Sequence, residues 1–293
     1  MKKTLLVIAL CLTMSMPAIA QAKGNDFLSS DFWKTATLED VNKAVQNGAD
    51  INARDKNGGT VLMAAAYSNQ NPNVLKLLIE NGANINNARN KDGGTALMAA
   101  AAGNQNPDVL ELLIKSGGDV NARDKDGRTA LMFAATSNQN SDVLGLLIKN
   151  GADVNARNKD GGMALMDAAL GNQSPGVLEL LIKNGADINA RHGKMGLTAL
   201  MFAALGNQSP GVLELLIKNG ADINARHDKT GMTALMLAAG MNQNPDVLEL
   251  LIENGADINA RDKKGLTALD HAKGNSHING TKVFWMLNDA AYR

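Results

Sequence analysis

Residues 127–157 read GRTALMFAATSNQNSDVLGLLIKNGADVNAR, and their spacing decides the fold. Thr129 can cap a short helix through ALMFAAT, with Leu131, Ala134 and Ala135 on one side. Asn138-Gln139-Asn140 breaks that helix. A second helix follows, in which Val143, Leu144, Leu147 and Ile148 recur at helical spacing and make a broad apolar face. In most copies it opens with Asn or Ser and then Pro, as in Asn244-Pro245 and Ser174-Pro175. That pairs an N-cap residue with proline at the first helical position, where its missing N–H costs nothing. Gly151, like Gly82, Gly185, Gly220 and Gly255, suits the left-handed residue after a helix end. The polar stretch from Asp153 to Gly161 predicts an extended excursion closed by a tight turn.

The stretch is one copy of many. Segments of the form NGAD-[IV]-N-A-R, or SGGD in one copy, begin at residues 47, 116, 150, 184, 219 and 254, with NGANINNAR at 81. A second marker, G-x-x-A-L-M or G-x-x-V-L-M, begins at 58, 93, 127, 161, 196 and 231, and closes with GLTALD at 265. Both keep the same phase throughout, so the pattern is one array with no linker. A single helix pair cannot bury its own apolar face, whereas stacked copies can, at about 1.5–3 kcal/mol for each fully buried Leu, Ile or Val.

These residues resemble the ankyrin repeat. The match runs over about residues 29–293: G-x-T-A-L-M-x-A-A followed by L-L-I-x-N-G-A-D-[IV]-N-A-R-D is similar to that family's pattern. Met63, Met98, Met132, Met166, Met201 and Met236 stand where the family has histidine, and the inter-helix turn is one residue longer. Methionine there is expected to fill space as a flexible apolar side chain. The resemblance implies an all-α repeat solenoid, an ankyrin array of stacked helix-turn-helix units with extended hairpin-like loops. Residues 29–57 read as an N-terminal cap, 58–261 as six repeats and 262–293 as a C-terminal cap repeat. Phe32, Trp33, Leu38, Val41 and Val45 are expected to cover the first stack, and Phe284 and Trp285 to fill the last.

The opening residues read differently. Two lysines, an apolar run from Leu5 to Met16 and the small residues Ala18-Ile19-Ala20 make an export signal over residues 1–20, cleaved after Ala20 or Ala22. Residues 21–28 are expected to be disordered. Without Lys2 and Lys3, 27 of the 29 basic residues remain against 29 acidic ones, a balance that offers nothing to nucleic acid or an anionic membrane. The only cysteine, Cys11, leaves with the leader, and with it any thiol or disulfide chemistry. The expected location is the periplasm or the exterior, with no membrane insertion after cleavage.

A search for chemistry finds ladders in place of clusters. No G-x-S-x-G or mature cysteine supplies a nucleophile. His192 and His227 occupy matching loop positions, but neighbouring copies at roughly 10 Å are too far apart for one metal ion. They are expected to be solvated, as are His271 and His277 in the cap. Asp50, Asp119, Asp153, Asp187, Asp222 and Asp257 each follow Gly-Ala or Gly-Gly, so turn bonding accounts for them better than catalysis. Asp124-Lys125-Asp126-Gly127 has too few ligands for a calcium loop. Asn69, Asn104, Asn138, Asn172, Asn207 and Asn242 are expected to bond the backbone of the inter-helix turns. Arginines from Arg54 to Arg261 and lysines from Lys56 to Lys263 form columns interleaved with Asp and Asn. A self-neutralising edge is preferred there to an anion-binding rail. No cofactor, no metal and no catalytic residue is expected.

Function is sought where the copies differ. On the first helix the variable positions read Ala64/Tyr67/Ser68, Ala99/Ala102/Gly103, Phe133/Thr136/Ser137, Asp167/Leu170/Gly171, Phe202/Leu205/Gly206 and Leu237/Gly240/Met241. The residue before the cap also varies: Gly59, Gly94, Arg128, Gly162, Leu197, Met232, Leu266. The resemblance implies that this helix and the hairpin tips line a concave surface that grips a protein. The candidate contact residues are Tyr67, Arg128, Leu170, Met195, Leu197, Leu205, Met232, Met241 and Leu266. Phe133, Phe202 and Leu237 are assigned to the core; Leu197, Met232 and Leu266 are expected to be exposed, an apolar surface of the kind that marks a partner site. The expected activity is that of a monomeric, non-catalytic interaction scaffold exported to the periplasm, its protein partner unidentified. The alternatives are a secreted factor acting on a host protein and a structural or protective envelope component.

Overall fold

The computed structural model describes residues 26–291, in two compact units that divide between Lys125 and Asp126. Each unit is an all-α repeat solenoid, built by stacking the helix pair that the sequence repeats.

The first unit carries α1 (Ser30–Thr35), α2 (Leu38–Gln46), α3 (Val61–Ser68), α4 (Pro72–Glu80), α5 (Ala96–Gly103) and α6 (Pro107–Lys115). First helices pack on first helices, α1 on α3 and α3 on α5, while α2, α4 and α6 stack behind them. The second unit repeats this scheme with α7 (Ala130–Ser137), α9 (Ala164–Gly171), α11 (Ala199–Gly206), α13 (Ala234–Met241) and α15 (Ala268–Ala272) in front. Behind them stand α8 (Ser141–Lys149), α10 (Pro175–Lys183), α12 (Pro210–Lys218), α14 (Pro245–Glu253) and α16 (Lys282–Ala291).

Each first helix begins where a threonine turns from extended to helical backbone. Thr129 Oγ1 accepts from Met132 N–H at 3.4 Å, and Thr60, Thr95, Thr198 and Thr233 do the same. Met163 occupies that position in α9 and supplies no side-chain cap. Second helices that begin after Asn are capped by its amide, as Asn244 accepts from Asp246 N–H at 3.0 Å. Ser174 and Ser209 make no such bond. Gly151 ends α8 with φ +86, the left-handed backbone expected of it. Gly93 has φ +85, and a Cβ there would lie 2.9 Å from Lys125 N; only glycine lets the two hairpins approach.

The core is apolar and repeated. Val143, Leu144 and Leu147 are completely buried, and Leu131, Ala134 and Ala135 join them. All six recurrent methionines are buried, filling space as expected.

Asparagine holds the stack together in two ladders. Buried Asn172 donates through Nδ2 to the carbonyls of Ala135 (3.1 Å) and Asn138 (2.9 Å) in the preceding copy, and its Oδ1 accepts from Ser174 N–H (2.9 Å). Asn104, Asn207 and Asn242 repeat the arrangement, and Asn275 extends it into the cap with bonds to Ala239 and Asn242 carbonyls. A second, exposed ladder reaches forward: Asn155 donates to Gly185 O at 2.8 Å and accepts from Asp187 N–H at 2.9 Å. Asn189 and Asn224 do likewise.

The caps depart from expectation in three places. Residues 26–28, assigned to an unstructured segment, form a short 3-10 helix, because Phe27 packs on Trp33 and its carbonyl accepts the indole N–H at 3.0 Å. Leu38, the first residue of α2, is exposed, while Val41 one turn on is completely buried. At the other end, Val283 and Leu287 close the core of α16 at i, i+4 spacing. Trp285 is therefore thrown outward, 55% exposed, with Phe284 half-buried against its edge. The export leader expected over residues 1–20 lies outside the described residues.

Candidate functional site

The first-helix face combines two variable elements, the residue that enters each first helix and the side chains of its outer rows. In the second unit the entering residues are Arg128, Gly162, Leu197, Met232 and Leu266. The fourth residue of each first helix gives a row of Phe133, Asp167, Phe202, Leu237 and His271.

The candidate residues divide by burial. Leu266 (39% exposed) and Met241 (37% exposed) stand open to solvent, and Met232, Met195 and Leu170 are half-buried. Leu197 and Leu205, expected on the contact surface, are instead buried at 7% and 6% exposure. Leu197 is the residue whose carbonyl closes the hairpin onto His192 N–H at 2.9 Å, a position between copies. Phe202 and Leu237 lie in the core as assigned, whereas Phe133 is half-exposed and carries the Arg128 guanidinium 4.2 Å above its ring. Arg128 Nη2 also donates to Thr136 Oγ1 at 3.4 Å. In the first unit half-buried Tyr67 lies across Gly103. Leu170 repeats this relationship, its Cδ1 within 3.1 Å of where a Gly206 Cβ would sit.

Asp167 is not among the candidate contact residues, yet with Ser68 it is one of two described side chains that hold a buried polar atom without a hydrogen-bond partner. It stands on α9 between the Phe133 and Phe202 positions of its row. Its Oδ2 is closed off from solvent and has no hydrogen-bond partner among the described residues. Burial pushes its carboxyl up to about 6, against the opposing pull of Arg128. The sequence signal was present as the only acid in a row otherwise filled by Ala, Phe, Leu and, in the cap, His271.

The loop histidines are structural, which corrects the expectation that they are solvated. His192 is buried, packs on the Phe202 ring at 5.7 Å and accepts from Met195 N–H through Nδ1 at 3.2 Å. Burial pushes its imidazole below the usual value, with Asp160 pulling weakly the other way. His227 Nε2 meets the Met195 carbonyl at 2.7 Å, which makes that nitrogen the donor. It thus reaches the hairpin carbonyl that a lysine N–H takes in other copies, as Lys159 does on Asp126 O. In the cap, His271 Nε2 lies 3.2 Å from Asp262 Oδ2. Burial raises the Asp262 carboxyl, but N–H bonds from Leu266 and Lys264, with His271 beside it, hold it below the ordinary range.

The repeated charged residues are likewise bound into the scaffold. Arg157 Nη1 donates to Gly161 O (3.2 Å) and to Arg191 O (2.9 Å) in the next copy, and Arg54, Arg89 and Arg191 make the same brace. Lys194 pairs with Asp160 at 2.5 Å, in keeping with a self-neutralising edge. Asp153 accepts from Asn155 N–H at 3.0 Å, and Asp187, Asp222 and Asp257 make the same turn bond. Among the described residues, no three His, Cys, Asp or Glu side chains come together to hold a metal ion, and no helix is long and apolar enough to cross a membrane.

Comparison with known proteins agrees with this construction. The family model described as ankyrin repeats (3 copies) matches residues 34–124, 97–192, 131–227, 165–262 and 200–288, five overlapping windows that cover most of the chain. No curated protein matches it. With helix pairs stacked at the period of the sequence and the family pattern running through both units, the chain belongs to the ankyrin-repeat family.

Proposed function

We propose that the chain is a non-catalytic scaffold of the periplasm that binds a protein partner on its first-helix face, chiefly through residues of the second unit. An ankyrin array is a protein–protein interaction scaffold, and its partners are proteins. The observation that carries the reading is the apolar surface left by Met241 and Leu266, with Met195, Met232 and Leu170 half-buried on the same face. Elsewhere the recurrent residues are taken up by stacking, capping and bracing, so they have little left to offer a ligand. Exposed apolar side chains grouped on one face mark a partner site. Export rests on the leader pattern of residues 1–20.

The test is capture of partners from periplasmic extract by the mature chain and by a Met232→Glu/Met241→Glu/Leu266→Glu variant. Partners should be lost with the variant while its helical circular dichroism stays unchanged. Partners retained in full would overturn the assignment of the face. Detection of the chain only in the cytoplasmic fraction would overturn the location.

A further inference from the structure

We infer that Asp167 is the receptor for a single lysine or arginine of the partner, presented between apolar side chains. This rests on the reading of the first-helix face as the binding surface and names the chemistry it selects.

The argument starts from the row in which Asp167 stands. Its counterparts in the second unit are Phe133, Phe202 and Leu237, and Leu or Phe would satisfy the packing there. A carboxylate in that position loses hydration and, at Oδ2, receives no hydrogen bond in return. The group that electrostatics would draw to it is Arg128. Arg128, however, lies over the Phe133 ring at 4.2 Å and donates to Thr136, and Oδ2 stays unpartnered. Thr136 Oγ1 donates in turn to Met132 O at 2.8 Å, which fixes that arrangement.

The surroundings define the rest of the ligand. Gly171 leaves the end of α9 bare: a Cβ there would find only the Thr136 carbonyl, at 3.9 Å. Leu170, Met195 and Met232 are half-buried apolar side chains on the same face. Asp167 is itself half-buried, so a cation would meet its carboxylate from the open side, partly screened from water, with Leu170 on the same helix and the apolar side chains of the following copies extending the surface. Screened in this way, an ion pair between partners gains and discriminates more than one in open water. A partner with a neutral or acidic side chain at that point would leave the carboxylate buried and unpaired, a penalty that excludes it.

The test uses a phage-displayed library of random peptides selected against the full chain, in parallel with an Asp167→Asn chain. Wild-type selection should converge on one Lys or Arg between apolar residues. A synthetic peptide of that sequence should bind Asp167→Asn about tenfold or more weakly. Changing its basic residue to Gln should cost the same, and the two changes together should cost no more than either alone. Clones without a basic residue, or equal binding to both chains, overturn the inference. Peptides that lose binding to the Met232→Glu/Leu266→Glu chain but ignore Asp167→Asn overturn it while leaving the face intact. Peptides indifferent to both sets of substitutions overturn the face as well. Light scattering covers the remaining occupant: a dimer broken by Asp167→Asn would assign Asp167 to a second copy of this chain and overturn the inference.

Discussion

The ring of Tyr67 lies where a side chain at Gly103, one copy further on, would have to be. The glycine is therefore a packing residue, its missing Cβ filled by the neighbour's aromatic ring. Gly103→Ala is expected to destabilise the chain by about 1–3 kcal/mol through overpacking. Tyr67→Ala should remove most of that penalty in the double variant. Urea midpoints of the four proteins measure the coupling, and additive effects would show that ring and glycine do not meet in solution.

The buried and exposed asparagine ladders should differ in strength. Asn172→Ala leaves the Ala135 and Asn138 carbonyls and the Ser174 N–H without their buried partner, and is expected to cost about 2–4 kcal/mol. Asn155→Ala, whose lost bonds face water, should cost about 1 kcal/mol or less. Thermal unfolding of the two variants makes the comparison.

Asp167 should lower stability as it ionises. Its carboxyl is raised from 3.8 to about 6 in the fold, so native protein holds the proton more tightly than unfolded chain. Stability from this group is complete below pH 4 and declines as pH rises to about 6, a loss on the order of 2 kcal/mol. Asp167→Leu should melt higher than wild type at pH 7, with the gap closing at pH 4. Equal melting temperatures at neutral pH would show that the carboxylate is solvated or paired.

His192 should act in the opposite sense. Burial lowers its imidazole from 6.5, so the folded chain binds the proton less readily than the unfolded one. Its contribution is complete above pH 6.5 and is lost as pH falls toward the depressed folded value. His192→Gln, which keeps a polar group without titrating, should flatten this part of the stability profile. NMR titration of the imidazole C–H resonances checks the direction.

Leu197 and Leu266 share one register position and differ in burial, so glutamate should separate folding from binding. Leu197→Glu places a charge at a 7% exposed site and is expected to lose several kcal/mol, with loss of helical signal on mild heating. Leu266→Glu, at 39% exposure, should stay within about 0.5 kcal/mol of wild-type stability. Identical behaviour of the two variants would contradict the burial pattern.

Much of the fold was legible because local rules and stacking rules coincide. Thr129 as a cap, Gly151 as a left-handed helix end and the Val143, Leu144, Leu147 stripe each have one physical reading, and repetition confirms it many times over. Even Asn172 could be assigned to the backbone from its turn position, although its donors reach 34 and 37 residues back. The face was harder to read. Leu197, Met232 and Leu266 occupy one position in the repeat, and nothing local distinguishes the buried one from the open one. Trp285 is expected in the cap core because it lies in the closing unit of the array, but helical phase in α16 gives those places to Val283 and Leu287.

The sequence by itself determined the repeat, the helix pair, its caps and the residues on which one copy packs against another. These depend on spacing within some 35 residues, which the chain states repeatedly. Only the tertiary structure decided which variable side chains remain open, that His192 is buried against Phe202, and that Asp167 holds an oxygen with no partner among the described residues. Exposure and pairing depend on what the neighbouring copies place alongside, and that is a property of the stack, not of any single unit.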